Sequence, residues 1–301
     1  MFRVNSNGMK IFRCILVACL IPAVSACTII KAGSYATDVF MMESDPLLAA
    51  AALPTMMKAS EALYLADPNN EAKALTNASL YVMYANAFIE SEAFLLPDDQ
   101  FEARYAMSVR ANALYRRAST ILVPFVDKKA PGTFSDTGAG KQTAHTTLGR
   151  LGKKDVPLMY WTAAAILAAF ASDPMDFDNA ALVDGALAVF EKARELDPGW
   201  NGGALHELAI TLYGSLPADL GGNPDKAIAA FKEAVQATGA SSPGPYVSYA
   251  ASVCVAKGDK EGFVNALETA LSLEGRPESA LMDTLARRKA ERLIADLILY
   301  F

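Results

Sequence analysis

The sequence predicts an all-α fold of helical hairpins stacked side by side, with additional helices at the N- and C-terminal ends. Three observations predict it. From Leu47 onward, alanine and leucine recur at three- and four-residue spacing, the period of one face of a helix. The breaks fall at proline, glycine and Asp-Pro or Asn-Pro pairs, as in 66–70, 196–199 and 221–225. No window sustains the apolar–polar alternation of a half-buried strand.

The elements follow in order. Residues 1–26 read as an export signal: Arg3, Lys10 and Arg13 precede an apolar run over 14–26, too short for the ~20 residues of a membrane-spanning helix. The run closes on Val24-Ser25-Ala26-Cys27, the pattern of a lipobox, so Cys27 is the expected lipidation site and first mature residue. Met9 is an alternative start. Residues 27–46 then form a linker from the lipid, 47–127 an N-terminal helical region, 128–152 a loop-rich connection, and 153–301 the C-terminal repeats with a capping helix. Past the signal the most apolar stretch, 160–171, is also too short to span a bilayer.

Removing 1–26 leaves 275 of the 301 residues and takes three positive charges, moving the formal net charge from −6 to −9. That balance argues against a nucleic-acid partner, which recruits basic faces. Cys14 and Cys19 leave with the signal and Cys27 is acylated, so Cys254 stands alone without a disulfide partner. Packing must hold the fold. With 52% hydrophobic residues in a chain of this length, a sizeable core is available.

Within the helices a repeat is legible. The second helix of a tetratricopeptide hairpin carries a small residue, an aromatic four positions on, an alanine three further on, and then a proline. Ala186, Phe190, Ala193 and Pro198 match all four positions. Ala227, Phe231 and Ala234 match three, as do Ala111, Tyr115 and Ala118; Phe263, Leu267 and Ala270 form a weaker copy. The last three copies in chain order start at 186, 227 and 263, so successive starts are 41 and 36 residues apart. Small residues let the paired helices approach, and the aromatic fills the space between successive pairs. The fold is therefore a tetratricopeptide-like α-solenoid. Residues 246–257 would be a first helix and 259–273 its partner, which makes Cys254 a core position rather than a reactive thiol.

No catalytic constellation accompanies these repeats. His206-Glu207 opens like a His-Glu-x-x-His zinc site, but the second ligand position is Ile210, and the other histidine, His145, lies in the variable connection. His206 and Glu207 are instead expected to bond across repeats, His206 to a neighbouring loop, or to face a partner. The segment 135–143, SDTGAGKQT, departs from a phosphate loop at Ser135 and Gln142 and follows no strand. No Gly-x-Ser-x-Gly elbow occurs. The sequence thus predicts a non-enzyme without cofactor or metal. Tyr160, Trp161 and Trp200 join His206 and Glu207 as the candidate ligand or partner surface, although such aromatics commonly just fill between repeats.

Five blocks carry a family resemblance: KKDVPLMYWTAAAILAAF (153–170), FEKARELDPGWNGGALHELAI (190–210), GGNPDKAIAAFKEAVQATG (221–239), PYVSYAASVCVAKGDKEGFVNALETALSL (245–273) and LARRKAERLI (285–294). In this order they resemble the T-component lipoproteins of TRAP transporters, from about residue 100 to the C-terminus. The resemblance implies a periplasmic tetratricopeptide lipoprotein, self-associating as a trimer with apolar channels, that docks a TRAP solute-binding protein and handles an organic or hydrophobic ligand. With Thr28 rather than Asp after Cys27, attachment to the outer membrane is expected over the inner. The competing expectation is a general envelope interaction scaffold or assembly factor using the same repeats.

Overall fold

A computed structural model describes residues 39–134, 147–218 and 221–301. Cys27, the export signal and His145 lie outside the described residues. Among the described residues every regular element is helical, as the periodicity predicts.

Capping chemistry places the helix starts. Helix α1 (Pro46–Leu65) begins where Asp45 accepts from the Leu47 and Leu48 N–H groups, with Pro46 in the first turn. Helix α2 (71–95) starts on Asn70, which accepts from Lys73 N–H. It runs through a π-helical turn, Ala85–Glu90, into Ser91–Leu95. Helix α3 (Phe101–Lys129) carries Glu102 in its first turn and Lys128 and Lys129 in its last, matching the helix dipole. It continues two residues into the segment assigned to the connection.

Helix α4 (Val156–Ser172) contains no charged residue, and a 3₁₀ turn, Lys153–Asp155, leads into it. Together these make a 20-residue helical run, Lys153–Ser172, long and apolar enough by length and composition to cross a membrane, which corrects the reading of this region as too short. Its packing explains the apolarity. Helix α4 lies against α2, α3 and helix α5 (Val183–Leu196), burying Leu158, Met159, Ile166 and Leu167. It is hydrophobic nearly all round because it is enclosed nearly all round.

The chain continues through helix α6 (Ala204–Ser215), α7 (Pro224–Ala237), α8 (244–257), α9 (Lys260–Ser272) and α10 (Ala280–Ala295). Helix α8 has a second π-helical turn, Ala250–Cys254. Helices α4 and α5, α6 and α7, and α8 and α9 pack as successive hairpins. Their second helices bury the small and aromatic positions of the repeat. Ala186, Phe190, Ala193, Ala227, Ala234, Phe263, Leu267 and Ala270 are at most 1% exposed, as are Ala111, Tyr115 and Ala118 on α3. Full burial of a phenylalanine such as Phe190 is worth roughly 2–3 kcal/mol. Phe231 is only half-buried and stacks on Tyr249 at 4.3 Å between ring centres. Cys254 is fully buried.

The main core draws on α1 to α8 and on α10, on both sides of the connection. A second core, around Val247, Phe263 and Leu293, sits under α8, α9 and α10. The path then closes on itself. Arg288 of α10 grips Glu92 at the end of α2 at 2.6 Å, and Arg292 reaches Asp98 at 3.4 Å. The last helix thereby seals a ring with the second.

Candidate functional site

The turn between α5 and α6 sets the first part of the site. Asp197-Pro198 ends α5, and a 3₁₀ turn, Trp200–Gly203, follows. Asn201, Gly202 and Gly203 all have positive φ, 49°, 63° and 93°. At Gly203 a Cβ would lie 2.8 Å from the Ala237 methyl, so glycine is required there by conformation and by the close approach of α7. The turn delivers Trp200 onto α4. Its ring centre lies 4.7 Å from that of Tyr160, and Tyr160 meets Trp161 edge-on at 5.0 Å.

Glu207, one turn into α6, faces the same place. Burial pushes the Tyr160 phenol up from its ordinary pKa, and the charge of Glu207 pushes it further. Four of the five residues singled out in the sequence (Tyr160, Trp161, Trp200 and Glu207) are therefore brought together, all of them half-buried.

His206 is not part of that group. It is buried, and its Nδ1 lies 2.9 Å from Oε2 of Glu233 on α7, without the alignment of a full hydrogen bond. Its neighbour is thus the facing helix, which corrects the expectation of a bond to a loop. The Arg194 guanidinium of α5 joins the same carboxylate at 3.2 Å and donates to the Tyr213 hydroxyl at 3.0 Å, while Tyr213 donates to Glu191. Burial holds the His206 pKa below its ordinary value against the opposing pull of Glu233. The result is a tie between α5, α6 and α7. No group of three or more metal-ligating side chains occurs among the described residues.

Three further helices complete the wall around Glu207. Its carboxylate packs on the start of α8, where a Cβ on Gly244 would come within 2.5 Å of Oε1, with Ser248 one turn further on. Burial and then the charge of Asp283 push the Glu207 pKa up. From α10, Lys289 lies within electrostatic reach of both Glu207 and Glu90, and its ammonium sits over the Phe94 ring, 5.4 Å from the centre. Lys289 is exposed, yet loss of solvation pulls its pKa below the ordinary range.

Glu90, the last residue of the first π-helical turn, accepts a 2.6 Å bond from the Tyr115 hydroxyl, and burial raises its pKa. Asp283 is held by Ser242 at 2.8 Å, the Arg276 N–H at 2.7 Å and Ser279 at 3.0 Å. Lys289 thus has two carboxylates, Glu207 and Glu90, within electrostatic reach, and Glu207 in turn lies within reach of Tyr160. Sequence reading missed Lys289, Glu90, Phe94 and Ser248. In ARRKAER a lysine reads as one more charge on a solvated face, and no spacing couples it to residues some 80 and 200 positions earlier.

Comparison with known proteins covers nearly all of this architecture. The family model described as TRAP transporter T-component matches residues 42–301. An uncharacterized protein of Treponema pallidum (strain Nichols) is 33% identical over 262 residues, which cover 86% of this chain and 81% of the relative.

Proposed function

The chain belongs to the TRAP transporter T-component family, and from that premise we propose that it is a lipid-anchored accessory that docks a periplasmic TRAP solute-binding protein and takes up an organic ligand. The family places it with a transport system in the bacterial envelope and is not a family of enzymes. The finer reading is ours: tetratricopeptide-type stacking, self-association as a trimer, and attachment through Cys27 to the outer membrane, facing the periplasm.

The observation that carries the ligand role is the half-buried aromatic cluster beside Glu207. Tyr160, Trp161 and Trp200 offer apolar, stackable surface beside the partly accessible Glu207, the mixture of an aromatic wall and few polar groups that small-molecule sites use. Half-buried inside the ring, these residues suit a ligand better than a protein partner. For the partner, α3 presents Phe101, Tyr105 and Val109, all exposed, four residues apart along one face. The same stripe would serve the competing reading, a general envelope scaffold.

Capture from detergent extract decides between the two. Tagged protein should retain a TRAP solute-binding protein, and Phe101→Ser with Tyr105→Ser should lose it. Capture of other envelope proteins in its place would sink the transport reading. For the anchor, Cys27→Ala should move the protein from the membrane to the soluble fraction; retention in the membrane would refute lipid attachment.

A further inference from the structure

We propose that the first three turns of α3, together with the segment between α4 and α5, dock a helix whose apolar face is flanked by lysine or arginine. The inference deepens the partner-docking part of the proposed function, rests on it, and states the chemistry of the partner.

Helix α3 has two unlike parts. From Ala111 onward it is a core element, with Ala111, Tyr115, Ala118, Leu122 and Val126 buried. From Phe101 to Arg110 no residue is buried, so about 15 Å of helix runs past the core. A helix surrounded by water is ordinarily polar. This stretch instead carries Phe101 at 72%, Tyr105 at 64% and Val109 at 52% exposure, and four-residue spacing sets them in one ridge. Asn112 and Arg116 continue the same side of the helix and meet the segment that follows α4. Asn112 donates to the Ala169 carbonyl and to Ser172 Oγ, both at 3.0 Å, and Arg116 pairs with Asp176 at 2.7 Å. These contacts bring Met175 and Phe177, 74% and 79% exposed, to the end of the ridge. Phe101, Tyr105 and Phe177 alone leave on the order of 400 Å² in water. That is already the size of the largest patch on an ordinary monomer.

Charge decides the occupant. Asp99 and Glu102 border the ridge at one end, Asp173 and Asp178 at the other. All four are exposed, and none forms an ion pair among the described residues. The arginines nearby are engaged: Arg104 with Asp98 at 2.9 Å, Arg116 with Asp176, and Arg110 with the Tyr84 hydroxyl at 3.2 Å. An apolar ridge between unpaired acids favours a cationic partner. An anionic lipid surface would be repelled, and a second copy docked patch to patch would set acid on acid. A helix suits the ridge because rows four residues apart are those on which helices interdigitate, as α4 packs on the buried part of α3.

Two synthetic helical peptides with the same leucine face test this, one flanked by lysine and the other by glutamate, each carrying a benzophenone. Lipidated full-length protein in detergent is irradiated with each at low salt, and the crosslinks are mapped by mass spectrometry. The lysine peptide should label 101–109 and 173–178 about tenfold more than the glutamate peptide, and about 0.5 M salt should shrink that preference severalfold. Phe101→Ser with Tyr105→Ser should abolish labelling there, and Asp99→Asn with Glu102→Gln should cut it about fivefold. All four positions are exposed, so these variants should melt like the wild type.

Equal labelling by the two peptides overturns the proposal, as does labelling that is absent or confined to other regions. Lysine-peptide labelling unchanged by Asp99→Asn with Glu102→Gln does so too. Capture of the solute-binding protein separates the two claims. Capture lost in Phe101→Ser with Tyr105→Ser, yet indifferent to salt and to Asp99→Asn with Glu102→Gln, overturns this inference alone. Selective labelling of the patch without capture overturns the solute-binding-protein role alone.

Discussion

His206 and Glu207 are adjacent on α6, yet their side chains occupy opposite kinds of surroundings. His206 faces α7 and enters a network in which Glu233, Arg194, Tyr213 and Glu191 each have a partner. Glu207 faces Tyr160 and the start of α8, with Lys289 within electrostatic reach and no ion pair of its own. A paired polar cluster between helices fixes their packing, whereas an unpaired one of similar depth keeps hydrogen-bonding capacity for something else. The step of about 100° between neighbours on a helix is enough to separate architecture from a binding surface.

Breaking the network should give the largest effect. Arg194→Ala removes the bonds to Tyr213 and Glu233 and the cation over the Phe190 and Tyr213 rings. It leaves Glu233 and Tyr213 without their shared partner and should cost about 2 kcal/mol in urea unfolding. Next comes the satisfied acid within reach of Lys289. Tyr115→Phe strips the 2.6 Å bond from Glu90 and should destabilise by about 1.5 kcal/mol. An unchanged midpoint would mean that Glu90 belongs with the unpaired groups.

Glu207→Gln should behave in the opposite sense. Because the folded pKa of Glu207 is raised, its contribution to stability is complete below the ordinary carboxylate range and is lost as pH rises through the folded value. The wild-type protein should therefore lose stability on going from mildly acidic to neutral pH more steeply than Glu207→Gln, read as melting temperature against pH. At neutral pH the variant should be as stable as wild type or more so. A clear loss there would show that Glu207 is structural, like His206. The smallest effect belongs to a pair outside both regions. Lys58 is well exposed and meets Glu61 one turn on, so Lys58→Ala should stay within about 0.5 kcal/mol.

Much of this comparison was legible in advance, and for local reasons. Asp45, Asn70, Asn223 and Asp259 each cap a helix whose start the sequence marks. The Ala186, Phe190, Ala193 pattern predicts burial, because helical spacing puts all three on one face. Tyr160, Trp161, Trp200 and Glu207 were singled out together, and they meet because α4 and the α5–α6 turn are near in sequence. The reading of 160–171 erred in length, since the helical run extends over Lys153–Ser172. An apolar run reports how completely a helix is enclosed, and does not distinguish enclosure by lipid from enclosure by α2, α3 and α5.

What the sequence by itself determined is the set of helices, the residues they bury and the absence of a second zinc ligand at Ile210. Each depends on spacings of a few residues, over which helix geometry is fixed. The tertiary structure alone decided that His206 and Glu207 part ways, and that Lys289 comes within electrostatic reach of Glu207. That second juxtaposition depends on α10 returning to α2 through Arg288 and Glu92, a contact 196 residues apart in the chain. Its position follows from the summed rotation of every intervening hairpin, and no local pattern in the sequence encodes that sum.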